Sequence, residues 1–215
     1  MAIKAVLFDL DGTLVDSAGD IAEALNRSLE QLGHARVAEA TVRGWIGEGV
    51  RQLVATGLRH AGDARAPEAV MDAFMVHYRD CLLRSPRLYP GVAAGLAALQ
   101  ARGLPMAICT NKPQALVAPL LEHLRIDGFF AAIVGGDSLP QRKPDPAPLL
   151  HLARVLGVEP RDCLMVGDSA TDRDAAVAAG MPVALVRYGY PRDLVLDQAG
   201  AIALLDDLRQ LQDLA

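Results

Sequence analysis

Along this chain, short apolar runs alternate with longer amphipathic stretches. Residues 3–8, 106–109, 132–134, 163–166 and 183–186 are compact apolar runs of strand length. Each ends in turn chemistry: Asp9-Leu10-Asp11-Gly12, Thr110-Asn111, Gly135-Gly136, Gly167-Asp168 and Tyr188-Gly189. Between the later runs lie stretches of helical texture at 92–102, 114–124, 148–156 and 172–179. Such alternation predicts an α/β fold, a Rossmann-like parallel sheet with helices on both faces. A last edge strand is expected at 202–205, with a short helix from Asp206.

One stretch breaks the alternation. From Asp16 to about Arg84 there is no strand pattern, and Ile21, Leu25, Leu29 and Leu32 recur at helical spacing. The chain returns through Pro86 and Pro90-Gly91, which suits a hinge. Residues 1–15 and 85–215 are therefore expected to form the α/β core, with 16–84 an all-helical domain inserted after the first strand.

Composition narrows the classes. The 215 residues are 52% hydrophobic but only 4% aromatic, so aliphatic side chains must fill the core. A formal charge of −5 without long like-charged blocks argues against a nucleic-acid surface. Cys81, Cys109 and Cys163 are too scattered for a disulfide framework or a zinc site, which suits a reducing compartment. The chain shows neither a signal-peptide pattern nor a membrane-spanning run, so a cytoplasmic protein without membrane partners is expected, either monomer or homodimer.

Ligands of open α/β sheets bind beyond the carboxyl ends of the strands. Those ends here carry Asp9 and Asp11, then Thr110 and Asn111, then Lys143 past a loop, then Asp168 with Asp172 beyond it. Singly, each has an ordinary reading as a turn residue, a helix cap or a solvated lysine. Together they make a site. Carboxylates crowded into one pocket need a cation, and a hard, oxygen-preferring Mg²⁺ suits them. Asp9, Asp168 and a backbone carbonyl near Asp11 could hold it. Lys143 and the ion would neutralise a phosphoryl group that Thr110 orients. One carboxylate could attack phosphorus and a second could move the leaving-group proton. Asp9 and Asp11, two residues apart on an extended strand end, share a face and so stand side by side.

Asp9-Leu10-Asp11-Gly12-Thr13-Leu14-Val15-Asp16-Ser17 resembles the first signature of the haloacid dehalogenase-like superfamily. Thr110, Lys143 and Gly167-Asp168-Ser169-Ala170-Thr171-Asp172 match its other three, and the likeness covers the whole chain. It implies Asp9 as nucleophile, Asp11 as acid/base, and Thr110 and Asn111 as phosphoryl ligands with Lys143 stabilising the group. Asp168 would bind Mg²⁺ with Asp172 in support, and the helical insertion would be a small cap closing over the site.

Within the superfamily the chain is similar to bacterial phosphoglycolate phosphatases at Trp45-Ile46-Gly47-Glu48-Gly49, Thr110-Asn111-Lys112-Pro113, Val134-Gly135-Gly136-Asp137 and Tyr188-Gly189-Tyr190. The expected substrate is a small phosphorylated metabolite, 2-phosphoglycolate, from oxygenase side reactions or repair of oxidised DNA ends. In the cap, N–H groups of the Gly47–Gly49 turn and Arg51 would meet the substrate's remote carboxylate, with Glu48 turned away. Phosphatases of N-acetylmuramic acid 6-phosphate look alike in several of these places, sugar phosphomutases share the small helical cap and both aspartates, and both readings stay open. Dehalogenases lack an acid/base at the place of Asp11. Schiff-base phosphonate hydrolases need a cap lysine, and none occurs between Lys4 and Lys112. A catalytically silent binding domain would not need Asp9, Lys143 and Asp168 together.

Overall fold

The computed structural model describes residues 2–214. The first strand, β1 (Ala5–Phe8), leads through a tight turn into β2 (Val15–Asp16). Four helices follow: α1 (Ala18–Gln31), α2 (Glu39–Arg43), α3 (Val50–His60) and α4 (Glu68–Cys81). The chain then passes β3 (Arg87–Leu88), α5 (Val92–Ala101), β4 (Met106–Cys109), α6 (Val117–His123) and β5 (Ala132–Val134). It ends with α7 (Ala147–Leu156), β6 (Cys163–Gly167), α8 (Ala170–Ala179), β7 (Val183–Val186) and β8 (Ala203–Leu205).

Six strands form a parallel sheet in the order β5-β4-β1-β6-β7-β8. The chain therefore builds outward from β1 to one side, then restarts on its other side with β6. That reversal opens a crevice at the carboxyl end of β1, where such sheets bind ligands.

The residues of the four central strands, β4, β1, β6 and β7, are buried on both faces, as a helix-covered parallel sheet requires. Alternation within β1 sends Val6 and Phe8 into one apolar cluster with Ile108, Val166 and Leu96. Ala5 and Leu7 enter the other, with Met165, Leu149 and Ala176. In α1, Ile21, Leu25 and Leu29 are buried, and so are Val70, Phe74 and Tyr78 of α4. Both sets recur every fourth residue, so each helix buries one stripe.

Three expectations shift. The stretch at 114–124 opens as a 3₁₀ turn, Gln114–Leu116, before α6. The segment after β8 is a 3₁₀ helix, Leu208–Asp213, whose Asp207 side chain accepts from the Arg209 N–H. The antiparallel β2–β3 pair, Val15 opposite Leu88 and Asp16 opposite Arg87, was not expected.

Candidate active site

The end of β1 aims Asp9 into the crevice. Its backbone N–H donates to the Val166 carbonyl at 2.9 Å, which locks the strand end to β6. Lys143, in the loop before α7, brings Nζ to 2.9 Å from Asp9 Oδ1 and donates to Asp172 Oδ1 at 2.6 Å. The approach to Asp9 is off-line for a hydrogen bond, so that buried oxygen is paired by charge alone. Burial opposes the charge on Lys143, but Asp172 and Asp9 outweigh it and raise its pKa.

The end of β6 and the start of α8 supply the other two carboxylates. Asp172 Oδ2 accepts from the backbone N–H groups of Asp168 (3.2 Å) and Ser169 (3.1 Å) and from the Ser169 hydroxyl (2.7 Å). It is the N3 half of a capping box, which explains its acidic character in a first helical turn. Asp168 accepts from the Thr13 hydroxyl (2.9 Å) and the Tyr190 N–H (2.7 Å). Gly12 makes room for it. A Cβ on Gly12 would lie 2.3 Å from Asp168 Oδ2, and φ of +95° already disfavours any other residue.

Oxygens of Asp9, Asp168 and Asp172 lie within 4.8 Å of one another, all three residues buried. Burial raises the Asp9 pKa to about 6, with the Asp172 charge adding to the rise and Lys143 pulling back. Burial, then Asp172 and Asp9, hold Asp168 well above the usual carboxylate range. Three carboxylates sharing one ammonium leave negative charge uncompensated. The oxygen-only donor set and the unshared Asp9 oxygen therefore fit a hard divalent cation. Asp172 has both oxygens engaged, so it acts by holding Lys143 and the Asp168 loop.

Asp11 stands apart from this cluster. Its carboxylate accepts from the Ser17 hydroxyl at 2.6 Å and from Lys112 Nζ at 3.2 and 3.3 Å. Strand alternation aims its carboxylate into the same pocket as Asp9, but Lys112 and Ser17 draw it aside, which leaves the backbone near Asp11 as the part expected to meet a metal. Thr110 is buried beside Asp9, at the end of β4. Asn111 has its side-chain amide engaged. Its amide nitrogen donates to the Gly47 carbonyl and the Lys143 carbonyl, both at 2.9 Å, so both amide hydrogens brace loops and neither is free for a phosphoryl oxygen.

Over these strand ends lies a small pocket, partly open to solvent. Asp9, Asp11, Thr110 and Lys112 line it from the core; Ile21, Ile46, Gly47, Gly49, Val50, Leu53 and Tyr78 line it from the helical segment. Gly47 and Gly49 have φ of +121° and +86°, a conformation that suits glycine and carries the turn into α3. Glu48 points away from the pocket, to Arg192. Arg51 does not reach the pocket. It lies on an exposed face of α3 and donates to Glu68 at 2.6 Å, because its helical phase opposes that of Val50 and Leu53.

Three residues at the site were given no role from the sequence. Lys112 is the second lysine of the site, its side chain fully buried. Its place directly after Thr110-Asn111 at a strand end was the available signal. Tyr78 repeats the spacing of Val70 and Phe74, which reads as core and conceals its hydroxyl. Tyr190 donates to Asp16 at 2.7 Å and accepts from the N–H groups of Ser17 and Ala18, tying the loop after β7 to the entry of α1.

The doubly wound α/β sheet gathers an aspartate, a lysine and an acid cluster at its strand ends, an arrangement that suits a hydrolase. The match of residues 3–180 to the haloacid dehalogenase-like hydrolase model, with the relatives below, shows that the chain belongs to that family. It is 46% identical to the phosphoglycolate phosphatase of Rhodospirillum rubrum, over 98% of this chain and 90% of the relative. It is 47% identical to the plasmid phosphoglycolate phosphatase of Cupriavidus necator, over 96% of this chain and 90% of that one. A crystal structure from Haemophilus somnus, described as a predicted phosphoglycolate phosphatase, superposes with a TM-score of 0.91 at 35% identity, covering 99% of this chain and 97% of that one.

Proposed function

We propose that the chain is a Mg²⁺-dependent phosphomonoesterase that hydrolyses 2-phosphoglycolate to glycolate and phosphate. The observation that carries the reading is Lys143, an ammonium held by Asp172 at 2.6 Å and presented to Asp9 at 2.9 Å. It keeps a buried nucleophile ionised and stands where a phosphoryl group needs a cation. The relatives' names and the small pocket support the substrate.

The reaction follows from the placement of the groups. Asp9 attacks phosphorus, the Asp9 O–P bond forming as the bond to the leaving oxygen breaks. Asp11 gives its proton to the departing alkoxide and then takes one from the water that cleaves the aspartyl-phosphate. The Thr110 hydroxyl orients the phosphoryl group, and Lys143 balances its charge. Asp9 and Asp168 would hold Mg²⁺, which supplies positive charge against the phosphoryl oxygens when bound. We assign residues 16–84 as a cap that excludes water, with Asn111 bracing the Gly47 turn against the core. Three free buried thiols and, among the described residues, no helix long and apolar enough to cross a membrane accord with a cytoplasmic setting.

Phosphate release from a panel of small esters tests the reading. 2-Phosphoglycolate should give the highest kcat/KM, and only with Mg²⁺. A preference of tenfold or more for N-acetylmuramic acid 6-phosphate would overturn the substrate and leave the chemistry standing.

A further inference from the structure

We infer that Tyr78, backed by Lys112, selects the substrate by binding a carboxylate at the end remote from the phosphate. This rests on the reading of the pocket as a phosphomonoesterase site. Its apolar walls, Ile21, Ile46, Val50 and Leu53, offer an anion nothing. Of the neighbouring cations, Arg51 is engaged with Glu68, Arg192 with Glu48, and Lys143 with Asp9 and Asp172, while Arg142 lies behind Gly49 and does not line the pocket. Lys112 is the one cation among the residues lining the pocket.

Lys112 is also more than a partner for Asp11. Its ammonium divides between the two Asp11 oxygens at 3.2 and 3.3 Å and donates besides to the Tyr78 hydroxyl. That hydroxyl comes from α4, on the opposite wall. It accepts from Lys112, and no acceptor among the described residues takes its own proton. A phenol polarised by an ammonium, with a free O–H in an otherwise apolar wall, is a ready donor to a carboxylate. Tyr78 sits on the helical segment and Lys112 on the core, so an anion beside the Tyr78 hydroxyl would take its hydrogen bond from one side of the pocket and lie near the ammonium of the other. A neutral hydroxyl tail of the same size is a weaker acceptor and brings no charge to the ammonium, so it gains less there.

The test compares 2-phosphoglycolate with 2-hydroxyethyl phosphate, an alkyl ester of similar size with a neutral tail. The readout is the ratio of their kcat/KM values in Mg²⁺. Wild type should favour phosphoglycolate. Tyr78→Phe, which removes one oxygen, should reduce the ratio about tenfold, mainly through KM. Lys112→Met should reduce it at least as much, alongside a general loss from the altered Asp11 environment. Circular dichroism and thermal melts establish that each variant is folded, and Tyr78→Phe decides the matter if Lys112→Met is not. Equal losses on both esters would overturn the inference, because the pair would then act only through Asp11. If wild type itself hydrolyses both esters without preference, the phosphoglycolate reading falls and this inference with it. If wild type discriminates and Tyr78→Phe keeps the full ratio, this inference alone falls.

Discussion

Glu48 of the Gly47–Gly49 turn and Arg192 of the loop after β7 form an ion pair at 2.7 Å, joining the helical segment to the core. Arg192 is mostly buried, Glu48 less so. A partly exposed pair of this kind is worth about 0.6 kcal/mol. Arg192→Ala should therefore raise KM for phosphoglycolate about threefold with kcat little changed. Added salt should raise the wild-type KM more than the variant's. Equal salt dependence in both proteins would deny the pair a part in holding the segment closed.

The acid cluster predicts how the metal-free protein responds to pH. Burial pushes the Asp9 carboxyl from 3.8 up to about 6 in the folded protein and holds Asp168 well above its ordinary value too. A carboxyl that holds its proton more tightly when folded stabilises fully at low pH. That stability is lost as pH rises through the folded pKa. In chelator, Tm should fall as pH rises through about 6, and Mg²⁺ should restore it. Asp168→Asn removes one of the crowded charges. At pH 8 in chelator its Tm should exceed wild type by about 3–6 °C, and Mg²⁺ should add nothing. A lower Tm for this variant, with an undiminished response to Mg²⁺, would contradict the cluster's role.

Lys143 is tied to stability as well as chemistry. Its removal leaves Asp9 and Asp172 buried without their shared cation, which costs about 3–5 kcal/mol. Lys143→Ala should lose that much in urea denaturation in chelator, and at least about 100-fold in kcat at saturating Mg²⁺. Near-native values for both would return this residue to an ordinary loop lysine.

Asp11 should matter according to the leaving group. Asp11→Asn should slow hydrolysis of alkyl phosphates by about 100-fold or more, because the alkoxide needs a proton. p-Nitrophenyl phosphate, whose phenolate leaves unprotonated, should be slowed far less. Parallel losses on the two substrates would count against proton transfer by this group.

The sheet was legible because its strands are short apolar runs ending in polar turns, a pattern that survives without tertiary information. The cluster of Asp9, Thr110, Lys143, Asp168 and Asp172 was legible for a related reason: each sits at a fixed offset from a strand end, so topology gathers them. Helix phase was harder to read. Arg51 lies one residue from Val50, yet the α-helical turn carries it to the opposite side and into a pair with Glu68. Asn111 kept its place, but its donors went to carbonyls of two distant loops, which no local pattern announces. Tyr78 was hidden by its apolar spacing, and the β2–β3 pair by its two-residue strands.

That small pair bears on how the protein can be altered. The chain leaves the core at Val15–Asp16 and returns at Arg87–Leu88, and the antiparallel pairing sets these points about 5 Å apart. The six-stranded sheet thus meets residues 17–86 as a single closed excursion. A foreign module with neighbouring termini could be spliced there without altering strand order or the positions of Asp9, Lys143 and Asp168. Substrate preference and bond-breaking chemistry would then be separable by transplantation, with one junction serving as the socket.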